Sequence, residues 1–168
     1  MDQNQMANDL QQAMVDPWVR GIGAAQALVA GGQVNAAATF YLSCLQMLQA
    51  KVRPGVTTGE LDAIGRDVLR AGGARSAPRL AYGFPGWTCI SINDEAAHGV
   101  PALSRHLVEG DLVNVDVSAE LDGYWADTGA SAPVGRVSAE RSRLVEATRA
   151  AHRDAMSAAR AGRPLRMI

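Results

Sequence analysis

Leu112-Val-Asn-Val-Asp-Val-Ser-Ala-Glu-Leu-Asp-Gly-Tyr-Trp-Ala-Asp-Thr-Gly129 reads as a β-hairpin. Val113, Val115 and Val117 alternate with Asn114, Asp116 and Ser118, the period of a half-buried strand. Asp122-Gly123 is a strong hairpin-turn signal, because a type I′ turn needs φ > 0 at both central residues. A two-residue loop there sets Leu121 opposite Tyr124, Ala119 opposite Ala126 and Ser118 opposite Asp127. Asp116 is two residues from Ser118 and so points the same way. The two aspartates then form a diagonal cross-strand pair, with Cα atoms roughly 7–8 Å apart.

Side chains at that separation can lean together and grip cations. Two metals at about 3.5–4 Å are a recurring hydrolase arrangement. Spacing alone favours a one-sided sheet whose aspartates face solvent, by about two to one. The composition of the face favours metal: Asn114, Asp116, Ser118, Glu120 and Asp127 make it polar and acidic, and this segment contains no Lys or Arg to pair with them.

Working outward, residues 33–51 carry an Ala, Leu and Met-rich helical pattern with Phe40, Leu42, Leu45 and Leu48 among its apolar positions. Arg53-Pro54-Gly55 ends it. A second helix is expected over about 58–71, opened by a Thr57/Glu60 capping box and stopped by Gly72-Gly73. Leu61, Ile64, Val68 and Leu69 form its buried stripe. Residues 75–86 read as a Gly/Pro-punctuated loop, and residues 87–93 alternate as a strand. A loop carrying His98 follows, then the hairpin. Ser138 can cap a last helix reaching about Ala161, with Leu144, Val145, Thr148, Ala151, Ala155 and Ala159 as its apolar face. Helices beside antiparallel strands imply an α+β fold. Residues 1–18 are a polar, Gln/Asn-rich extension, and residues 19–168 form the folded part. The segment from Arg163 to Ile168 starts a new apolar element that does not continue, which suggests truncation.

The 168 residues amount to one domain or part of one, and 48% hydrophobic content allows a core. A net charge of −1 gives no sign of nucleic-acid binding. Cys44 and Cys89 form no CxxC motif, so free thiols in a reducing compartment are expected. No apolar run suffices for a membrane span. The N-terminus lacks a basic segment followed by an apolar core, so a cytoplasmic location is expected.

Four stretches carry a resemblance: Val52-Arg-Pro-Gly-Val-Thr-Thr-Gly-Glu-Leu61, Tyr82-Gly-Phe-Pro-Gly-Trp-Thr-Cys-Ile-Ser-Ile-Asn93, His98-Gly-Val-Pro101, and Glu109-Gly-Asp-Leu-Val-Asn-Val-Asp-Val117 running into Asp122-Gly-Tyr-Trp-Ala-Asp-Thr128. Together they resemble the type I methionine aminopeptidases over residues 50–135. The resemblance implies the pita-bread fold, truncated after its first α/β repeat, and removal of N-terminal methionine from newly made polypeptides. It implies two divalent ions (Co, Mn, Fe or Zn), with Asp116 on one and Asp127 bridging both. His98 would contact substrate and stabilise the transition state. Phe84 and Cys89 would line the methionine pocket, and Ala81 stands where bacterial members often carry an aromatic. Proximity to the ribosome, a monomeric complete enzyme and no nucleic-acid or membrane partner are further expectations. The histidine and two glutamates that complete the family's metal site have no counterpart in this sequence.

Competing readings stay open. The chain may be compared with a non-catalytic fragment or a binding or assembly module, since two carboxylates make a weak, open site. A pita-bread relative acting on X-Pro or creatine-like substrates is a third class; residues 82–93 argue for the methionine type. His152 reads as a structural histidine on the last helix. Asp62 and Glu95 have no assigned role.

Overall fold

The computed structural model describes residues 34–167. The extension over residues 1–18 lies outside them. In chain order the elements are α1 (Val34–Ala50), α2 (Thr58–Ala71), β1 (Arg75–Ser76), α3 (Ala77–Tyr82), β2 (Cys89–Ile92), β3 (Leu112–Leu121), β4 (Tyr124–Pro133), α4 (Ala139–Ala158) and a 3-10 turn (Leu165–Met167). The architecture is α+β. Among the described residues no helix is long and apolar enough to cross a membrane.

β3 is the spine of an antiparallel sheet. One edge pairs along its whole length with β4. The other carries β2 opposite residues 113–116 and then β1 opposite residues 119–120. Ser118 faces Asp127 and Leu121 faces Tyr124, as the turn chemistry requires. Asp122 and Gly123 have φ of 52° and 87°, the left-handed values of a type I′ turn.

The valine face of β3 is fully buried: Val113, Val115 and Val117 all have no exposed surface. Phe40, Tyr41, Cys44, Leu45 and Leu48 of α1 cover it, joined by Leu61 and Leu69 of α2. The Tyr41 hydroxyl donates to the Tyr124 carbonyl at 3.3 Å, tying α1 to the hairpin turn. Loss of water pushes the Cys44 thiol up to about 12, so it is an inert part of the core.

α2 begins as expected. Thr57 Oγ1 accepts from the Glu60 N–H at 3.1 Å, and the Glu60 carboxylate accepts from the Thr57 N–H at 2.8 Å. Gly65 lets this helix approach closely: a Cβ there would stand 2.8 Å from Thr88 Cγ2 and 3.3 Å from Leu48 Cδ1. Asp62 gains a role the sequence did not disclose. Its Oδ1 accepts from the Trp87 N–H at 2.8 Å, the Thr88 N–H at 2.7 Å and the Thr88 hydroxyl at 2.9 Å. Those bonds clamp α2 to the start of β2.

Residues 75–86 are not the loop expected from their Gly and Pro content. Arg75 and Ser76 pair with Glu120 and Ala119, and Ala77–Tyr82 is a helix. Pro78 sits in its first turn, where a missing N–H costs nothing, and Gly83 at φ 71° terminates it. The same residues that break structure elsewhere here bound a six-residue helix.

α4 starts at the Ser138 cap, whose hydroxyl oxygen accepts from the Arg141 N–H at 3.2 Å, and stops at Ala158, short of Ala161. None of its residues is buried, and Leu144 is 60% exposed. The expected apolar face therefore covers little of the described chain. Arg149 of α4 donates to the Ser131 carbonyl, and Arg141 to the Asn93 side chain.

Replacing Asp62 with alanine strands the buried Thr88 donors. We expect Asp62→Ala to cost about 2–3 kcal/mol in urea unfolding. A change within error of zero would mean that water replaces the clamp.

Candidate metal centre and its cleft

The polar face of the hairpin forms one wall of a cleft of about 360 Å³, lined in part by Tyr82, Cys89, His98, Asp116, Ser118, Trp125 and Asp127. Three segments converge there: the end of α3, the start of β2 with the loop after it, and the β3–β4 pair.

Asp116 and Asp127 meet through Ser118. The Ser118 Oγ lies 2.8 Å from Asp127 Oδ1 and 3.2 Å from Asp116 Oδ1. One hydroxyl carries one hydrogen, so it can satisfy one carboxylate at a time. Burial, and after it the Asp127 charge, push the Asp116 carboxyl up to about 6. Among the described residues no Lys or Arg forms an ion pair with either carboxylate. The pair's remaining acidic neighbour on the strand, Glu120, is otherwise engaged. Arg75 Nε donates to it at 2.7 Å and the Gly123 N–H at 2.7 Å, which holds its carboxyl below the usual range. Glu120 thus belongs to the structural frame, contrary to its placement with the metal-binding face.

Two crowded carboxylates without a counter-charge are a donor set that a divalent cation relieves, so Asp116 and Asp127 fit such an ion as part of its ligand set. Among the described residues no group of three or more His, Cys, Asp or Glu converges to complete that set.

His98 is exposed at the rim in a left-handed conformation, φ 55°. The loop holding it is stitched to β2. The Gly99 N–H donates to Ser91 Oγ at 3.0 Å, and the Ile90 N–H donates to the Gly99 carbonyl at 2.9 Å. A Cβ on Gly99 would lie 2.1 Å from the Ile90 carbonyl oxygen, so glycine is required by close approach. Arg105 closes the loop with a bond to the Val100 carbonyl at 2.6 Å and an ion pair to Glu95, which also accepts from the Ile92 N–H at 2.8 Å. Glu95 is therefore a loop brace.

Cys89 is buried beside the carboxylates. Loss of water first, and then Asp116, push its thiol up to about 11, which keeps it neutral. Phe84 is also buried, but it stands behind Tyr82, edge-on at 6.1 Å, and is not in the cleft lining. His152 is exposed on α4 and lines a separate groove, with Arg149, against the Asn114 and Ser131 end of the sheet.

A match to metallopeptidase family M24 covers residues 32–168. The chain belongs to metallopeptidase family M24. Methionine aminopeptidase 2 of Bacillus subtilis is 45% identical over 116 residues, which are 69% of this chain and 47% of that protein. The methionine aminopeptidase of Staphylococcus epidermidis is 54% identical over 89 residues, 53% of this chain and 35% of that protein. The crystal structure of methionine aminopeptidase from Rickettsia prowazekii superposes with a TM-score of 0.66 at 34% identity, covering 69% of this chain and 46% of that one. The M24 chain described here thus spans half or less of the length of these relatives. A prolidase from Pyrococcus furiosus, at 20% identity and a TM-score of 0.57, shares the fold.

Ser118, already counted with the polar face, lines the M24 cleft, as do Tyr82 and Trp125, to which the sequence analysis gave no role. For Trp125 the signal was present: it is two residues before Asp127 on the same strand, hence on the same face. Tyr82 was hidden because its helix was read as loop.

Two outcomes follow. A cation needs the Asp116 carboxylate, and below pH about 6 that group keeps its proton. Mn²⁺ affinity measured by calorimetry should therefore fall as pH drops through about 6 and level off above it. A flat profile would remove Asp116 from the ligand set. Gly99→Ala should force the His98 loop off β2 at a cost of about 1–3 kcal/mol, with amide resonances of Ile90 and Ser91 shifted in NMR spectra; unmoved resonances would show that the loop is not held by this contact.

Proposed function

We propose that this M24 chain carries the metal-binding and substrate-facing half of a methionine aminopeptidase site, acting on the N-terminus of newly made polypeptides. The observation that carries the reading is the joining of Asp116 and Asp127 through Ser118 at the floor of a cleft that also holds His98 and Cys89. The names of the relatives give the substrate class.

Two divalent ions (Mn, Fe, Co or Zn) would supply Lewis acidity and a nucleophilic water at neutral pH. Asp116 and Asp127 would hold them. Ser118 orients both carboxylates by sharing its hydrogen between them. His98, at the rim, would donate a hydrogen bond to the substrate amide and to the oxyanion that develops there. Cys89, a neutral thiol, lines the apolar side, and Phe84 supports that side from behind Tyr82. Such substrates arise in the cytoplasm at the ribosome, so we place the activity there, in a monomeric complete enzyme.

A second reading draws on ligand number. Two carboxylates fall short of the three or more protein ligands usual for metal sites, which favours a non-catalytic binding or assembly module. Hydrolysis of a Met-Ala-Ser peptide with added Mn²⁺ or Co²⁺ separates the two. Release of methionine by the 168-residue chain, lost in Asp127→Ala, supports catalysis. Metal-dependent peptide binding without turnover supports the module, and turnover unchanged in Asp127→Ala refutes the assigned centre.

A further inference from the structure

A second groove, of about 610 Å³, adjoins the metal cleft. The two share the polar face of the sheet on consecutive rungs. Cys89, Asp116 and Gly129 stand abreast on β2, β3 and β4, and Ser91, Asn114 and Ser131 stand abreast on the next rung of that face. The step between the rungs is about 6.8 Å, two residues of antiparallel strand. Gly129 has no side chain, so nothing on β4 rises between Asp127 and Ser131; a Cβ there would stand 3.6 Å from the Asp116 Cβ.

α4 walls this groove. Arg141, in its first turn, donates to Asn93 Oδ1 at 3.1 Å and to the Gly110 carbonyl, and Arg149 donates to the Ser131 carbonyl at 3.3 Å. The helix thus advances from the Gly110 end of β3 toward the metal centre. Arg149, His152 and Arg153 line the groove from one face of α4, the spacing that sets side chains side by side. No ion pair among the described residues involves Arg149 or Arg153. Glu95 also lines the groove, but Arg105 holds its carboxylate. Two guanidinium groups therefore overlook a floor of serine and asparagine with no carboxylate to answer them.

We propose that this groove receives the substrate chain downstream of its N-terminus and favours acidic side chains there, with Arg149 and Arg153 reading them. The assignment rests on the reading of the adjoining cleft as a peptide N-terminus site. An extended peptide advances about 3.3 Å per residue. A chain whose first amide lies at the Asp116 rung has its third residue at the Asn114 rung, and its third to fifth side chains pass under α4. A guanidinium pairs with a carboxylate through two parallel N–H bonds. Free phosphate would meet the same groups; the continuity of the floor with the metal centre favours the peptide.

The test titrates the 168-residue chain, in saturating Mn²⁺ at low salt, with Met-Ala-Asp-Glu-Asp, Met-Ala-Asn-Gln-Asn and Met-Ala-Lys-Lys-Lys amides. The first amide of each is reduced to CH₂–NH to prevent cleavage. Wild type should bind the acidic peptide about three- to tenfold tighter than the neutral one, a margin that shrinks in about 0.5 M salt. Arg149→Gln combined with Arg153→Gln should abolish the margin and leave the neutral peptide unchanged, with thermal unfolding as the check on folding. Arg153→Glu, which keeps the Arg149 bond to Ser131, should abolish it as well. Equal affinity for the acidic and neutral peptides in wild type, or a margin that survives these variants, overturns the assignment. So does inorganic phosphate, or an N-acetylated acidic peptide, that binds as tightly as the free peptide, because the groove would then hold anions independently of a peptide N-terminus. Asp127→Asn separates these results from failure of the underlying reading. If that variant loses Mn²⁺ and wild type shows no acidic margin, only the groove assignment falls. If it binds Mn²⁺ as wild type does, the metal site itself falls, and the groove assignment with it.

Discussion

A slip of one residue between β3 and β4 would turn Asp116 toward α1 and expose the valines that α1 covers. Everything at the cleft depends on that register. It is held from both ends: the type I′ turn at Asp122-Gly123 allows one pairing, and the buried valine face penalises every other. Ser118 opposite Asp127 is the direct product, and the shared hydroxyl that joins the two aspartates exists only in this alignment.

The frame around the hairpin uses charge differently from the cleft. Glu120 and Asp62 are satisfied, the first by Arg75 and the Gly123 N–H, the second by the backbone and hydroxyl of residues 87 and 88. Both link elements distant in sequence. Asp116 and Asp127 share one serine hydrogen, and burial first, then the Asp127 charge, raise the Asp116 carboxyl. Acids that stabilise the fold are paired; acids that face the cleft are left in a state that a metal ion improves. This contrast supports a functional role for the pair independently of the family match.

The surroundings of the pair show how a rigid sheet positions mobile-looking segments. His98 lies on an exposed loop, yet Gly99 presses against the Ile90 carbonyl and Ser91 bonds to its N–H. Tyr82 ends a helix of six residues, yet Phe84 and His98 flank its ring. α4 behaves otherwise: its residues are all at least partly exposed, and Arg149 ties it to the Ser131 carbonyl of β4.

The hairpin, its register, the capping box and the two converging aspartates were legible in sequence because they rest on local rules: period-two alternation, turn chemistry and a three-residue cap spacing. Other features came only from tertiary structure, since they depend on which distant groups become neighbours. Pro78 and Gly83 look like breakers until β1 docks on β3 and a short helix fits between them. The partners of Asp62 lie 25 and 26 residues along the chain, and the ion-pair partner of Glu95 lies ten residues away. Tyr82 becomes part of the cleft only when α3 is set against β2. Periodicity reports the face a residue takes on its own element, whereas packing decides what that face meets.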